Sequence, residues 1–238
     1  MKPYIICHMM ASLDGRIDCA MTEQIDDTNN YYDALDSLQC NATLEGRVTL
    51  SMHYAEKGKF APTKPYEAAG KKVYHSPSRA AKQMPLGQEK EGGFAVGVDT
   101  LGTLLWGDDV EAQFSRPLIM VLSEKTSQEY LEYLKQKGIS YITTGAENID
   151  LADAVNTLNE QFGVQRLAVV GGGHINGAFL EAGLLDEVSM MYGAAIDGRA
   201  GWCAAFDGIK DQGRPATILK LKSIQQMGET VWLRYDYK

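Results

Sequence analysis

The joint between a strand and a helix at residues 166–187 constrains the fold more than any other feature of the sequence. An apolar run, Leu167 to Val170, is followed by three consecutive glycines and then by apolar residues at helical spacing. A strand–glycine–helix joint exposes backbone N–H groups and the positive end of a helix dipole at one point. The joint therefore predicts an α/β chain in which this turn binds phosphate, most simply that of a nucleotide cofactor.

The glycines alone do not identify the ligand. The dinucleotide fingerprint needs glycine at the first, third and sixth places, and Asn176 stands at the sixth place counted from Gly171. If the turn binds phosphate, glycine is needed because a Cβ would keep the backbone from approaching the anion closely. An ordinary tight turn between strand and helix explains the same residues.

Composition excludes several classes of partner. The chain has 238 residues and a net charge of −8, and 45% of its residues are hydrophobic. An acidic chain without a basic block is a poor partner for nucleic acid or an anionic membrane surface. The apolar run near residue 1 is too short for a signal peptide or a membrane span. We therefore expect a cytoplasmic protein with a small-molecule substrate.

The cysteines and histidines do not predict a metal site. Cys7, Cys19, Cys40 and Cys203 form no CxxC pair, and none has a histidine at zinc-ligand spacing. Small, buried, reduced side chains are the expected role of these cysteines.

Short apolar runs alternate with helical patterns along the chain, which predicts one α/β domain over residues 1–238. Residues 55–92 lack a strong period apart from a candidate strand at Lys72 to His75, and are expected to form an irregular excursion. The runs 217–224 and 230–237 flank Met227-Gly228 and predict a closing antiparallel hairpin.

Two helices of the second half carry end signals. Thr126 with Glu129 has the spacing of a capping box for a helix that ends at Gly138. Asp150 is placed to begin a helix that Gly163 closes.

Three patches resemble the pyrimidine reductase family of riboflavin biosynthesis, which includes the C-terminal domain of the bifunctional deaminase-reductases. They read MMASLDGRI at 9–17, LEGRVTL at 44–50 and VVGGGHINGAFLEAGLLDEV at 169–188. The resemblance covers nearly the whole chain apart from residues 55–92. It implies a dihydrofolate-reductase-like three-layer sandwich with a mostly parallel central sheet and a C-terminal antiparallel hairpin.

The same resemblance implies an activity and an assembly. Members of the family use NADPH to reduce 5-amino-6-(5-phosphoribosylamino)uracil, with hydride transfer to the ribose carbonyl or imine carbon, and many are homodimers. Two alternatives stay open: a reductase of the same fold acting on another small heterocycle or carbonyl compound, and a nucleotide-binding module without turnover.

The resemblance assigns cofactor contacts residue by residue. Met10 and Ala11 would lie against the nicotinamide through their backbone, and Ser123 would receive the adenosine part. The other implied contacts with the cofactor are Gly46, Arg47, Thr49, His53, Gly172, Gly173, His174, Ile175, Asn176 and Gly177.

Side-chain chemistry agrees with some of these assignments. The planar cation of Arg47 suits phosphate, although a surface ion pair explains it equally well. Ser123 together with Lys125 suits a 2′-phosphate and would favour NADPH over NADH. Alternatively, Ser123 and Thr126 simply begin the next helix.

The substrate side of the pattern is less complete. The resemblance places Ser12 and Asp14 in a loop beside the substrate, although Asp14-Gly15 also suits a plain turn. Val170 stands where family members that act on the riboflavin intermediate carry a glutamate. Asp27 and Asp33 are the proposed proton donors by position, with water as an equal candidate and helix-start charges as the alternative role.

Overall fold

The computed structural model describes residues 1–17, 19–25, 28–77, 93–114 and 116–237. The chain divides into two compact units. The first unit comprises residues 1–3 and 41–165, and the second unit comprises residues 4–40 and 166–238.

Strands and helices alternate along the chain, which confirms the predicted α/β class. The strands are β1 (Tyr4–Ala11), β2 (Ala42–Gly46), β3 (Lys72–Tyr74), β4 (Phe94–Val98), β5 (Leu118–Leu122), β6 (Ser140–Thr143), β7 (Arg166–Val169), β8 (Glu187–Tyr192), β9 (Leu219–Met227) and β10 (Thr230–Tyr237). The helices are α1 (Cys19–Thr22), α2 (Thr28–Ser37), α3 (Arg47–His53), α4 (Val110–Phe114), α5 (Gln128–Gln136), α6 (Leu151–Phe162) and α7 (Gly173–Glu181). No helix in the described ranges is long and apolar enough to cross a membrane.

In the first unit, the strands are hydrogen-bonded in the order β3-β6-β5-β4-β2. Strands β2, β4, β5 and β6 run parallel, and β3 pairs antiparallel with β6. Every residue of β5 is buried, as expected for a parallel strand with both faces covered. The core of this unit includes Trp106, Met120 and Tyr130. The carboxyl ends of the parallel strands lie along one edge, which is where α/β sheets usually bind ligands.

In the second unit, the order is β7-β1-β8-β10-β9. Strands β7, β1 and β8 are parallel, whereas β10 pairs antiparallel with both β8 and β9. The predicted closing hairpin is therefore confirmed. Ile6, Met10, Leu38, Met191 and Trp232 form part of this unit's core.

The ends of two elements of the second unit are set by strand pairing. Met10 pairs with Met191 and Ala11 with Tyr192, so β1 continues to Ala11. The hairpin turn lies at Gly228-Glu229 rather than at Met227-Gly228, because Met227 still pairs with Thr230.

The predicted capping box is wrong. Ser127 is the N-cap of α5, and its hydroxyl accepts from the Tyr130 amide. Glu129 instead accepts hydrogen bonds from the amides of Thr63 and Lys64, both at 2.9 Å. By contrast, the Asp150 cap and the left-handed Gly163 at the two ends of α6 are confirmed.

The predicted excursion is partly regular. The predicted strand at Lys72 to His75 is confirmed as β3, and isolated bridges join Glu56 to Leu105 and Ala68 to Ser127. Residues 55–77 thus run along loops of the first unit, held by backbone hydrogen bonds such as that from Ala69 to Thr126 at 2.8 Å. The rest of the excursion, residues 78–92, lies outside the described residues.

Candidate functional site

The junction of β7 and α7 has the local structure that the sequence predicts. β7 ends at Val169 and α7 begins at Gly173. Gly171 adopts a φ of +109°, which favours glycine, and the Gly171–Gly172 peptide bond is cis. Gly172 caps α7 without a side-chain hydrogen bond, so no side chain of the cap residue competes for the first-turn amides.

Two glycines of α7 are required by packing within the protein. A Cβ at Gly173 would lie 2.1 Å from the Ala204 carbonyl oxygen, and one at Gly177 would lie 2.0 Å from the Asp207 carbonyl oxygen. The Gly173 carbonyl also accepts from the Asp207 amide at 3.0 Å. These glycines therefore admit the backbone of residues 197–208, which we call the strap.

Asp14, predicted to face a substrate, holds the strap in place. Its carboxylate accepts from the amides of Asp197 and Gly198, both at 3.0 Å, and from the Ser12 hydroxyl at 2.6 Å. These hydrogen bonds, led by that of Ser12, hold the pKa of the Asp14 carboxyl far below its ordinary value. Ser12 itself is fully buried. The first role of both residues is thus to fix the loop after β1.

Arg16 continues the same connection. It forms an isolated antiparallel bridge with Ala204, and its Nη1 donates to the Trp202 carbonyl. The Ile17 amide donates to the Cys203 carbonyl at 3.3 Å. The strap is therefore paired with residues 14–17 along its length. The sequence carries no signal for this pairing.

Cys203 brings a thiol to the start of α7. Its Sγ lies 3.6 Å from His174 Nδ1 and donates to Asp207 Oδ2 at 3.5 Å. The amides of Gly173 and His174 favour the thiolate, but burial and the Asp207 carboxylate outweigh them and raise the pKa of the thiol. A neutral thiol is a weak hydrogen-bond acceptor, so these two amides have only a weak partner.

The remaining cofactor contacts that the resemblance implies at residues 172–177 differ in accessibility. His174 is exposed and Ile175 is half-buried, whereas Asn176 is fully buried. Asn176 Nδ2 donates to the Ala205 carbonyl of the strap at 2.7 Å. Its Oδ1 is shielded from solvent and has no hydrogen-bond partner among the described residues.

The carboxyl end of β1 presents backbone rather than reactive side chains. Met10 and Ala11 are buried, and the Ala11 carbonyl accepts from the Gly193 amide at 3.0 Å. Val170, at the end of β7, is half-buried. These residues share one edge of the second unit's parallel strands.

His8 forms a buried polar network below that edge. His8 Nε2 lies 3.2 Å from the Tyr31 carbonyl, which can only accept, so this nitrogen carries the proton. Nδ1 therefore accepts from the Ser189 hydroxyl at 2.9 Å, while Trp232 Nε1 donates to the same oxygen at 2.8 Å. Burial lowers the pKa of His8 to about 4, which keeps the ring neutral. The network attaches α2 to β1, a role that the sequence analysis did not anticipate.

The structure describes one of the two proposed proton donors. Asp33 is exposed on α2, within the helix that His8 holds. Asp27 lies outside the described residues. Their catalytic roles stay predictions.

In the first unit, the predicted cofactor residues follow two strand ends. Gly46 ends β2, and Arg47 begins α3 with an exposed side chain. Thr49 is half-buried, and His53 is exposed at the last residue of the helix. Arg47 and His53 are therefore accessible to a ligand.

Ser123 is less accessible than its predicted role requires. It is fully buried, and its hydroxyl donates to the Thr100 carbonyl at 2.7 Å. Exposed Lys125 pairs with Glu147. A contact between Ser123 and a 2′-phosphate would require that hydroxyl to change partner.

Glu45 is a further group that the sequence analysis missed. Its Oε2 is buried without a hydrogen-bond partner among the described residues. Burial raises the pKa of this carboxyl to about 7, although the positive charge of Arg116 acts in the opposite direction. A glutamate directly before the Gly46-Arg47 pair in an otherwise apolar strand was the available signal.

Comparison with known proteins gives a consistent result. The family model described as the RibD C-terminal domain matches residues 3–233. Among solved structures, RibD of Acinetobacter baumannii aligns with a TM-score of 0.68 and 16% identity, over 100% of this chain and 58% of the other. A pyrimidine reductase-like protein of Corynebacterium diphtheriae aligns with a TM-score of 0.69 and 15% identity, over 99% and 92% of the two chains.

A third solved structure extends the comparison to a eukaryote. The riboflavin biosynthesis reductase of Saccharomyces cerevisiae aligns with a TM-score of 0.61 and 15% identity, covering 100% of this chain and 90% of that chain. At these identities the solved structures establish a shared fold, and the chain spans little more than half of the Acinetobacter protein.

Proposed function

Because the chain belongs to the RibD C-terminal domain family, we propose that it is an NADPH-dependent reductase that delivers hydride to a carbonyl or imine carbon of a small heterocyclic substrate. The family match over residues 3–233 carries this proposal. The glycine junction before α7 supports it independently, since among the described residues the Gly173 and His174 amides contact only the weakly accepting Cys203 thiol, and helix-start amides suit a phosphate group.

The residues at α7 fit the diphosphate of a dinucleotide. The cap residue Gly172 offers no competing side chain, His174 is exposed on the first turn, and the neutral Cys203 thiol is a weak competitor. Residues 172–177 would hold the diphosphate, and the backbone of Met10 and Ala11 would lie beside the nicotinamide. NADPH supplies the hydride when bound.

The first unit supports a separate part of the proposal. Arg47 and His53 are exposed on α3, and Gly46 and Thr49 belong to the same segment. We infer that Arg47 contacts a cofactor phosphate, because its guanidinium is a permanent cation with a planar set of donors.

Two substrates remain in view. The first is 5-amino-6-(5-phosphoribosylamino)uracil, the substrate that the resemblance implies. The second is another small heterocycle or carbonyl compound. The uncharged, half-buried Val170 favours the second, because it replaces the carboxylate expected at the substrate.

Calorimetric titration with NADPH and NADH, followed by an NADPH-oxidation assay, tests the proposal. We expect micromolar affinity for NADPH, weaker binding of NADH and turnover with a carbonyl or imine substrate. Arg47→Ala should weaken NADPH binding severalfold or more, whereas Lys220→Ala, on the exposed face of β9, should leave it unchanged. Absence of NADPH binding would refute the proposal, and binding without turnover of any substrate would indicate a nucleotide-binding module.

The homodimer and the cytoplasmic location also stay proposals. Sedimentation equilibrium of the purified chain would test the first, with a mass of one chain as the contradicting result. Fractionation of the producing cell would test the second.

A further inference from the structure

Three exposed apolar side chains stand on the two loops that follow β1 and β8 in the second unit. Leu13 is 62% exposed, Ile196 is 74% exposed and Trp202 is 44% exposed. The Leu13 amide donates to the Ala195 carbonyl at 2.8 Å, which brings Leu13 beside the segment that carries Ile196. We call these three side chains the apolar rim.

Trp202 belongs to the same cluster of loops. Its carbonyl accepts from Arg16, and the Arg199 guanidinium lies 4.4 Å from the centre of its ring. Arg199 is also paired with Asp197, whose amide donates to Asp14. One face of the indole is thus covered by a cation, and the ring offers a flat aromatic surface for stacking.

The charged side chains of the two segments that carry the rim, residues 11–17 and 193–202, are engaged by those segments themselves. They are Asp14, Arg16, Asp197 and Arg199, and each bonds to another group of the same two segments. Arg16 Nε is shielded from solvent as well. Beside the rim, a substrate phosphate therefore meets no cation that is not already engaged; the further cations of the loop after β8, Lys210 and Arg214, lie beyond the strap in sequence.

The strand ends behind the rim are also uncharged. β1 ends in Met10 and Ala11, β7 is followed by Val170, and β8 ends in Tyr192. A phosphorylated sugar needs cations or several converging amides. The amides at the start of α7 are the ones that the proposed function assigns to the cofactor.

We propose that the apolar rim selects a planar, uncharged carbonyl compound rather than a phosphorylated ribosylaminopyrimidine. The inference rests on the proposed function, because it names the substrate class of that same site. In the reaction, the carbonyl carbon gains hydride from NADPH and the oxygen gains a proton from water. The carbonyl is thereby reduced to an alcohol, and NADPH is oxidised to NADP⁺.

The direct test compares matched substrates in the NADPH-oxidation assay. We expect reduction of isatin, a planar heterocyclic dicarbonyl. The dephosphorylated ribosylaminopyrimidine should have a kcat/KM at least equal to that of its phosphorylated form. A preference of tenfold or more for the phosphorylated form would overturn the inference and leave the proposed reductase intact.

Variants of the rim locate the effect. Leu13→Lys and Ile196→Lys should each raise the KM for isatin about tenfold with little change in kcat, because they remove apolar contact that is equal in ground and transition states. Ile224→Lys is the matched control, since Ile224 is 63% exposed on β9. An unchanged KM in both rim variants would overturn the inference. A change in oligomeric mass in the rim variants would also overturn the inference, because it would show that the rim contacts a second copy of the chain.

A binding measurement without NADPH separates the inference from the proposed function. Trp106 and Trp232 are buried, so isatin should quench mainly the fluorescence of Trp202, and Trp202→Phe should abolish most of the quenching. Ribose 5-phosphate should not relieve the quenching. Quenching at Trp202 in a chain that fails to bind NADPH would refute the proposed function while supporting the rim. NADPH binding with no quenching and no isatin reduction would refute the inference about the rim while supporting cofactor binding in the proposed function.

Discussion

Glu45 places an ionisable carboxyl in an apolar part of the first unit. Its register partner on β4 is Gly97, and residues opposite each other project to the same face of a sheet. A Cβ at Gly97 would lie 2.7 Å from Met120 Sδ and 2.8 Å from Leu50 Cδ1. The Glu45 side chain therefore faces core residues, which explains why burial raises the pKa of its carboxyl.

The substitution Glu45→Gln removes the charge and keeps the shape. The ordinary pKa of this carboxyl is 4.5 and its folded-state pKa is about 7, so ionisation costs the folded protein ~3 kcal/mol at ~1.4 kcal/mol per pH unit. Between these values the folded state binds more protons than the unfolded state. The wild-type free energy of unfolding therefore falls as pH rises through this window. Glutamine lacks this dependence, so the variant should gain nothing near pH 4.5 and ~1–3 kcal/mol at pH 8, allowing for local relaxation.

Urea unfolding followed by tryptophan fluorescence and circular dichroism, at pH 5 and pH 8, measures this gain. The urea midpoint of Glu45→Gln should rise above wild type at pH 8, with an unchanged denaturant slope. Glu229→Gln, in the exposed turn between β9 and β10, is the control and should shift neither midpoint. Equal effects of Glu45→Gln at both pH values, or destabilisation at pH 8, would refute the reasoning.

Three further predictions follow from the second unit. Because burial lowers the pKa of His8 to about 4, the wild-type free energy of unfolding should decrease as pH falls from 6.5 towards 4. His8→Asn should remove up to ~3 kcal/mol of that total decrease, and an equal decrease in wild type and variant would contradict the network. Alanine usually stabilises a helix relative to glycine, but Gly177→Ala should lower the free energy of unfolding by ~2 kcal/mol or more, because its Cβ would clash with the Asp207 carbonyl oxygen. The control Gly213→Ala should leave the free energy of unfolding nearly unchanged. NADPH should slow alkylation of Cys203 by iodoacetamide, followed by mass spectrometry, without slowing that of Cys40; equal slowing at both would place the cofactor elsewhere.

The parts of the fold that could be predicted from sequence are those with local signals. The Asp150 cap and the left-handed Gly163 define α6 within its own residues. The run from Val169 into Gly173 likewise contains the whole strand–turn–helix junction. At Thr126 and Ser127 either residue could cap the helix. Glu129 bonds to the amides of residues 63–64 and so is not available for a capping box with Thr126, and Ser127 is the cap.

The strap could not be predicted, because its partners lie far away in sequence. Asp14 and Asp197 are separated by 183 residues, and Asn176 and Ala205 by 29. Neither pair leaves a periodic pattern, and Asp14-Gly15 has the composition of an ordinary turn. Ser123 shows the same limit: its hydroxyl is bonded to Thr100 across the edge of the sheet, which no spacing indicates.

The strap changes how the shared motifs should be understood. Asp14, Gly173, Asn176 and Gly177 carry the resemblance to the family, and all four contact the chain's own backbone at residues 197–208. Motifs of this kind specify the shape of the loops around the site before they specify a ligand. Substrate choice must then depend on groups that the motifs do not fix, and Leu13, Ile196 and Trp202 are exposed groups of this kind on the two loops. A chain can therefore keep the family's glycine junction and still act on a different substrate, since changing Leu13 or Ile196 would leave the strap hydrogen bonds intact.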